Sequence, residues 1–79
     1  MNQYNDKNQK HGYWEHYYPN GNINYKGNFF NGIAYGYWEC YWDNGDIHYK
    51  GKYNNGLKDG YWEEYYTFKD VLTYKEFYL

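Results

Sequence analysis

Three residues of types that hold zinc, His16, Cys40 and Glu64, recur at a spacing of 24 in a 79-residue chain. An imidazole, a thiolate and a carboxylate would make a workable donor set for a tetrahedral ion. A second series, Glu15, Glu39 and Glu63, has the same spacing, and two such carboxylates could form an acid–base pair. Other catalytic equipment is sparse. The chain has no serine, no Gly-rich phosphate loop, and no Cys–His pair within reach on the register derived below. Whether either series can do chemistry depends on the elements that position it.

Those elements are tandem copies of one unit. Gly12-Tyr13-Trp14-Glu15 returns as Gly36-Tyr37-Trp38-Glu39 and as Gly60-Tyr61-Trp62-Glu63, without gaps. Two aromatic residues follow each time: Tyr17-Tyr18, Tyr41-Trp42 and Tyr65-Tyr66. A turn, Pro19-Asn20-Gly21-Asn22 or Asp43-Asn44-Gly45-Asp46, comes next. The unit closes on Ile23-Asn24-Tyr25-Lys26-Gly27-Asn28-Phe29, then on Ile47-His48-Tyr49-Lys50-Gly51-Lys52-Tyr53. The third copy closes on Leu72-Thr73-Tyr74-Lys75-Glu76-Phe77-Tyr78, offset by one, so its turn over 67–71 is one residue longer. The copies span 12–35, 36–59 and 60–79 of a single repeat domain. Residues 1–11 read as an N-terminal half-unit or linker, and the segments opening on Asn31-Gly32 and Asn55-Gly56 join the copies.

Asn-Gly between two alternating aromatic runs predicts a β-hairpin with a two-residue type I′ turn. On that register Tyr18 faces Ile23, His16 faces Tyr25 and Trp14 faces Gly27 on one side of the sheet. Tyr17 faces Asn24, Glu15 faces Lys26 and Tyr13 faces Asn28 on the other. Trp14 over Gly27 and Trp38 over Gly51 would be aromatic cover for a weak strand position. Glu15–Lys26, Glu39–Lys50 and Glu63–Lys75 become cross-strand charge pairs. The predicted fold is all-β: an antiparallel meander of about six strands, built from three 24-residue hairpins, in a single-layer curved sheet. At the usual strand spacing it would be roughly 25–30 Å across. No 3.6-residue apolar period supports a helix.

The register also weighs the two chemical series. His16, Cys40 and Glu64 lie two strands apart from one another, roughly 9–10 Å, too far for one ion bound at ~2.0–2.3 Å. His48 is expected on the opposite face. The glutamates are accounted for by their lysines. The expectation is therefore no metal, no cofactor and no catalytic residue.

The motifs G-Y-W-E-x-x-Y and N-G-x-I-x-Y-K-G resemble the MORN repeat family, most closely the variant repeats of the YwqK-like antitoxin type. The resemblance covers residues 12–79. It implies an elongated sheet of hairpins serving as an interaction module, and within the variant group the neutralisation of a partner protein. The chain departs from the pattern at Phe68-Lys69 in place of Asn-Gly and at Glu76 in place of glycine, both of which suit a terminal, capping copy.

Composition narrows the partner. Fifteen tyrosines and four tryptophans dominate the apolar content, there is no arginine, and the formal charge is −2. A phosphate-rich partner is disfavoured, and no polybasic cluster or amphipathic helix points to a membrane. One cysteine and no apolar run of signal-peptide length point to a cytoplasmic protein. The aromatic face holds Trp14, His16, Tyr18, Tyr25, Trp38, Cys40, Trp42, Tyr49, Trp62 and Tyr66. Either sheet curvature lets its large rings pack on one another as a thin core, or part of it stays exposed as the expected binding face. Its expected occupant is a protein partner or a second copy, as in a homodimer. Stacking of a sugar or nucleotide on the Tyr and Trp rows is the alternative.

Overall fold

A computed structural model describes residues 2–65 together with the backbone of residues 72–78. Tyr66, the third turn and the side chain of Lys75 lie outside the described residues. The chain runs as β1 (Gln3–Tyr4), β2 (Lys10–Tyr17), β3 (Ile23–Phe30), β4 (Ile33–Tyr41), β5 (Ile47–Asn54), β6 (Leu57–Tyr65) and β7 (Leu72–Tyr78). The strands form one antiparallel sheet in sequence order, an unclosed meander of six long strands with the two-residue β1 at its leading edge. Its extents of 41 × 35 × 12 Å are those of a single layer. Alternation along each strand separates two faces. In β4, Ile33, Tyr35 and Tyr37 are exposed, whereas Trp38 and Cys40 are buried.

Within each hairpin the expected register holds from Tyr13↔Asn28 to His16↔Tyr25, and from Tyr37↔Lys52 to Cys40↔Tyr49. Glu63↔Lys75 is likewise a backbone pair, as the longer third turn requires. Towards the turn the register slips. Tyr17 pairs with Ile23, and Tyr18 faces Asn22, with its N–H on the Asn22 carbonyl at 2.8 Å. The turn is therefore not the predicted type I′. Gly21 is left-handed at φ 95°, Asn20 is not, and Gly21 N–H closes on the Tyr18 carbonyl at 2.9 Å. A type I turn accepts most residues at its second position, here Pro19 with its fixed φ, and the glycine then takes the left-handed place that closes a three-residue loop. Asp43-Asn44-Gly45 repeats that geometry.

The two-residue turns are found between the copies. Asn31-Gly32 has φ of 50° and 83° between the pair Phe30↔Ile33, and Asn55-Gly56 has 55° and 83° between Asn54↔Leu57. Residues that join copies in the sequence thus belong to long strands. The extra residue of each three-residue loop is absorbed as a β-bulge at Asn24 and at His48. A bulged residue is re-aimed out of the normal alternation, so His48 is not on the face opposite Glu64. Its Nε2 lies 3.7 Å from the Glu64 carboxylate.

A second irregularity sits between the hairpins. Lys26↔Glu39 and Asn28↔Tyr35 leave Gly27 opposite the three residues 36–38. The ring over Gly27 is consequently that of Trp38, from the next copy, and not Trp14. A Cβ at Gly27 would lie 2.2 Å from Trp38, and one at Gly51 would lie 2.2 Å from Trp62. The charge pairs are also carried over. Lys26 reaches Glu39 at 3.3 Å and Lys50 reaches Glu63 at 3.6 Å, so the ion pairs join successive hairpins where pairs within one hairpin were expected.

Candidate functional site

The face expected to bind is largely closed. Trp14, Trp38, Trp62 and Cys40 are only 3–9% exposed. Each tryptophan is held the same way. Its Nε1–H donates to a carbonyl of the preceding strand: Gln3 at 2.9 Å for Trp14, Asn28 at 3.1 Å for Trp38, Lys52 at 3.0 Å for Trp62. An aromatic edge meets each ring at 5.0–5.1 Å, from Tyr4, Phe29 and Tyr53 respectively. Tyr25 stacks on Trp38 at 5.2 Å. The sheet's own curvature and its large rings therefore make the cover that the sequence left open.

The remaining members of that face are spread among local contacts. Exposed His16 stacks on Tyr25, with centroids 5.3 Å apart. Tyr18 Oη donates to the Tyr41 carbonyl at 2.6 Å, and Trp42 Nε1–H donates to the Tyr65 carbonyl at 3.1 Å. Trp42 also stacks on His48 at 3.6 Å. Burial pushes the Cys40 thiol up, against smaller opposing effects of Tyr49 and Lys58. Burial lowers the basicity of His48, and Glu64 offsets part of that. His16, Cys40 and Glu64 thus have three separate environments, and among the described residues no three His, Cys, Asp or Glu side chains converge.

Two lysines missed from the sequence complete this face. Lys10 Nζ sits 5.0 Å from the Trp14 ring and 5.3 Å from Phe29, and donates to Tyr25 Oη at 3.1 Å. Lys58 Nζ lies 4.9 Å from Trp62 and 5.6 Å from Tyr49. Both are cation–π contacts. Their spacing of 48, two repeat periods, was the available signal.

The opposite face is the exposed one. Tyr13, Tyr17, Tyr37 and Tyr61 are 41–55% exposed. Their hydroxyls converge on the glutamates of the same strand, because residues i and i+2 share a face. Tyr13 and Tyr17 donate to Glu15, Tyr37 and Tyr41 to Glu39, and Tyr61 and Tyr65 to Glu63, at 2.5–3.1 Å. The motif Tyr-x-Glu-x-Tyr occurs three times and was legible as such. Across the strands these carboxylates alternate with Lys26 and Lys50, giving a charge row edged by phenol rings. At one end of this face Phe30, Ile33, Tyr35, Asn54 and Asn55 line an open groove of about 570 Å³. Leu57 beside it is 73% exposed.

The glutamates are acceptors held in their charged form. Burial alone would raise Glu39, but Tyr41, Tyr37 and Lys26 outweigh it and hold the carboxyl below its ordinary range. Tyr17 and Tyr13 do the same for Glu15. The phenols move the other way: burial and the Glu39 bond push Tyr37 up to about 12. A group whose folded pKa is raised stabilises fully below its unfolded value, and that contribution is lost as pH rises through the folded value. Stability should therefore be retained to pH 10 and fall between about 10 and 12, as followed by circular dichroism. Glu39→Gln should bring the tyrosinate absorbance at lower pH. As a part-exposed charge change it should alter stability at neutral pH by no more than about 1 kcal/mol.

Comparisons with protein-family models, with curated proteins and with solved structures give no match. Among the described residues no helix is long and apolar enough to cross a membrane.

Proposed function

We propose that this chain is a non-enzymatic, MORN-type repeat module that binds a protein partner, or a second copy, through its outer tyrosine face. The observation that carries the reading is the run of exposed phenols at Tyr13, Tyr17, Tyr37 and Tyr61, continuous with Phe30, Ile33, Tyr35 and Leu57. Rigid aromatic side chains lose little entropy on docking and supply most anchor residues at interfaces. Each of Glu15, Glu39 and Glu63 already accepts hydrogen bonds from two phenols of its own strand, which suits a part in the sheet surface. A single buried cysteine suits a cytoplasmic setting.

Light scattering over a dilution series tests the occupant, with a Phe30→Ser/Tyr37→Ser double variant as control. A dimer that dissociates in the double variant identifies the second copy. A monomer throughout assigns the face to another protein, which in the antitoxin form of the reading is a toxic protein encoded beside it. A dimer that survives the double substitution overturns docking through this face. Stacking of a sugar or nucleotide would fall to the tyrosine rows, since Trp14, Trp38 and Trp62 are covered and half-buried Trp42 is stacked on His48. Unchanged fluorescence at millimolar oligosaccharide or oligonucleotide would count against it.

A further inference from the structure

We propose that the outer edge of β2 is a strand-accepting site, closed in this chain by its own residues 2–4. Its occupant is a segment Tyr-Lys-Gly-Xaa-aromatic at the free end of a different repeat protein.

The internal junctions define what the site takes. At β3–β4 the pairs are Lys26↔Glu39, Asn28↔Tyr35 and Phe29↔Ala34; at β5–β6 they are Lys50↔Glu63, Lys52↔Asp59 and Tyr53↔Lys58. At β1–β2 the pairs are Gln3↔His11 and Tyr4↔Lys10, which occupy the same places in the repeat. Gln3 thus stands for Asn28 and Lys52, and Tyr4 stands for Phe29 and Tyr53. Their contacts agree: the Gln3 carbonyl takes the Trp14 Nε1–H, and Tyr4 meets the Trp14 ring edge-on at 5.1 Å. Asn2 falls where the glycine belongs, and the imitation stops there. Its side-chain amide replaces the next peptide unit, taking the Glu15 N–H at 2.9 Å and donating to the Glu15 carbonyl at 2.7 Å.

A full occupant would add what this cap omits. Lys26 and Lys50 reach across to Glu39 and Glu63 from the preceding strand, whereas Gln3–Tyr4 brings no lysine to Glu15. The rings of Tyr25 and Tyr49 lie 5.2 and 5.8 Å from Trp38 and Trp62. The glycine is obligatory, because a Cβ there would lie 2.2 Å from the covering tryptophan. That requirement excludes docking through β7 of a second copy of this chain. Its last strand aligns Glu76 with Trp62, where β3 and β5 align glycine with Trp14 and Trp38. The partner is therefore another hairpin array whose final strand keeps the glycine, added by strand augmentation.

The test uses the full chain and a synthetic peptide with the sequence of residues 21–30, followed by calorimetry and tryptophan fluorescence. Asn2→Ala/Tyr4→Ala should bind it at least about tenfold more tightly than the unsubstituted chain. The same peptide with glutamate in place of its central glycine, at the position of Gly27, should not bind. Equal binding of both peptides, equal binding by both proteins, or no binding to the variant overturns the proposal. If the double variant loses its sheet signal, Asn2→Ala alone removes only two exposed bonds, and the glycine-against-glutamate comparison decides.

Discussion

Replacing Trp38 with alanine is expected to cost about 3–5 kcal/mol, the range for truncating a buried aromatic residue. Its ring is 6% exposed and sits at the middle junction, with Tyr25, Phe29 and Tyr53 at 5.0–5.7 Å. It also satisfies the Asn28 carbonyl through Nε1–H. A single-layer sheet has no second layer to collapse into the space, so relaxation is limited and the cavity is filled by water. Chains of this size have a total stability of roughly 4–12 kcal/mol, so the loss takes a large share of it. Urea unfolding followed by circular dichroism measures it. Tyr37→Ala, one residue away and 55% exposed, should cost far less, about 1 kcal/mol or below. Equal losses at the two positions would mean that the inner face is not the core.

Adding one methyl group at Gly27 is expected to be nearly as damaging, at about 1–3 kcal/mol or somewhat more, as for overpacked cores. The added Cβ would stand 2.2 Å from two atoms of the Trp38 indole. The indole is pinned by its hydrogen bond and by rings on several sides, so it cannot simply swing away. The informative measurement is a double-mutant cycle. In a Trp38→Leu background the methyl group gains room, and Gly27→Ala should lose most of its cost. In a Trp14→Leu background the full cost should remain. Coupling of the order of 1–3 kcal/mol is expected for residues in direct contact. Rescue by Trp14→Leu instead would restore the in-hairpin pairing that the register alone suggests, and would sink the inter-hairpin geometry.

That contrast marks how far the sequence could be read. Period-two alternation of aromatic and polar residues, interrupted by Asn-Gly, sufficed for the hairpins, the meander and the register from Tyr13 to His16. These are local properties, fixed by neighbours a few residues apart. The Tyr-x-Glu-x-Tyr rows were equally local, yet the tryptophan face drew attention because large apolar rings without a visible cover suggest a docking surface. Whether a face is covered is a sum over all junctions, and no single hairpin contains it.

The sequence by itself determined that this is a tandem array of antiparallel hairpins with two chemically distinct faces. Only the tertiary structure decided which face is open and which copy each contact joins. The physical reason lies in the places where alternation breaks. Pro19-Asn20-Gly21 and Asp43-Asn44-Gly45 both form three-residue loops, whose extra residue must be absorbed as a bulge, and the second of these bulges re-aims His48 towards Glu64. At the junctions three residues oppose one glycine, so Trp38 and Trp62 lie back over the previous hairpin, and Lys26 and Lys50 reach forward to the next. Those offsets tie successive hairpins into one sheet. They close the face of Trp14, Trp38 and Trp62 and leave Tyr13, Tyr17, Tyr37 and Tyr61 outside.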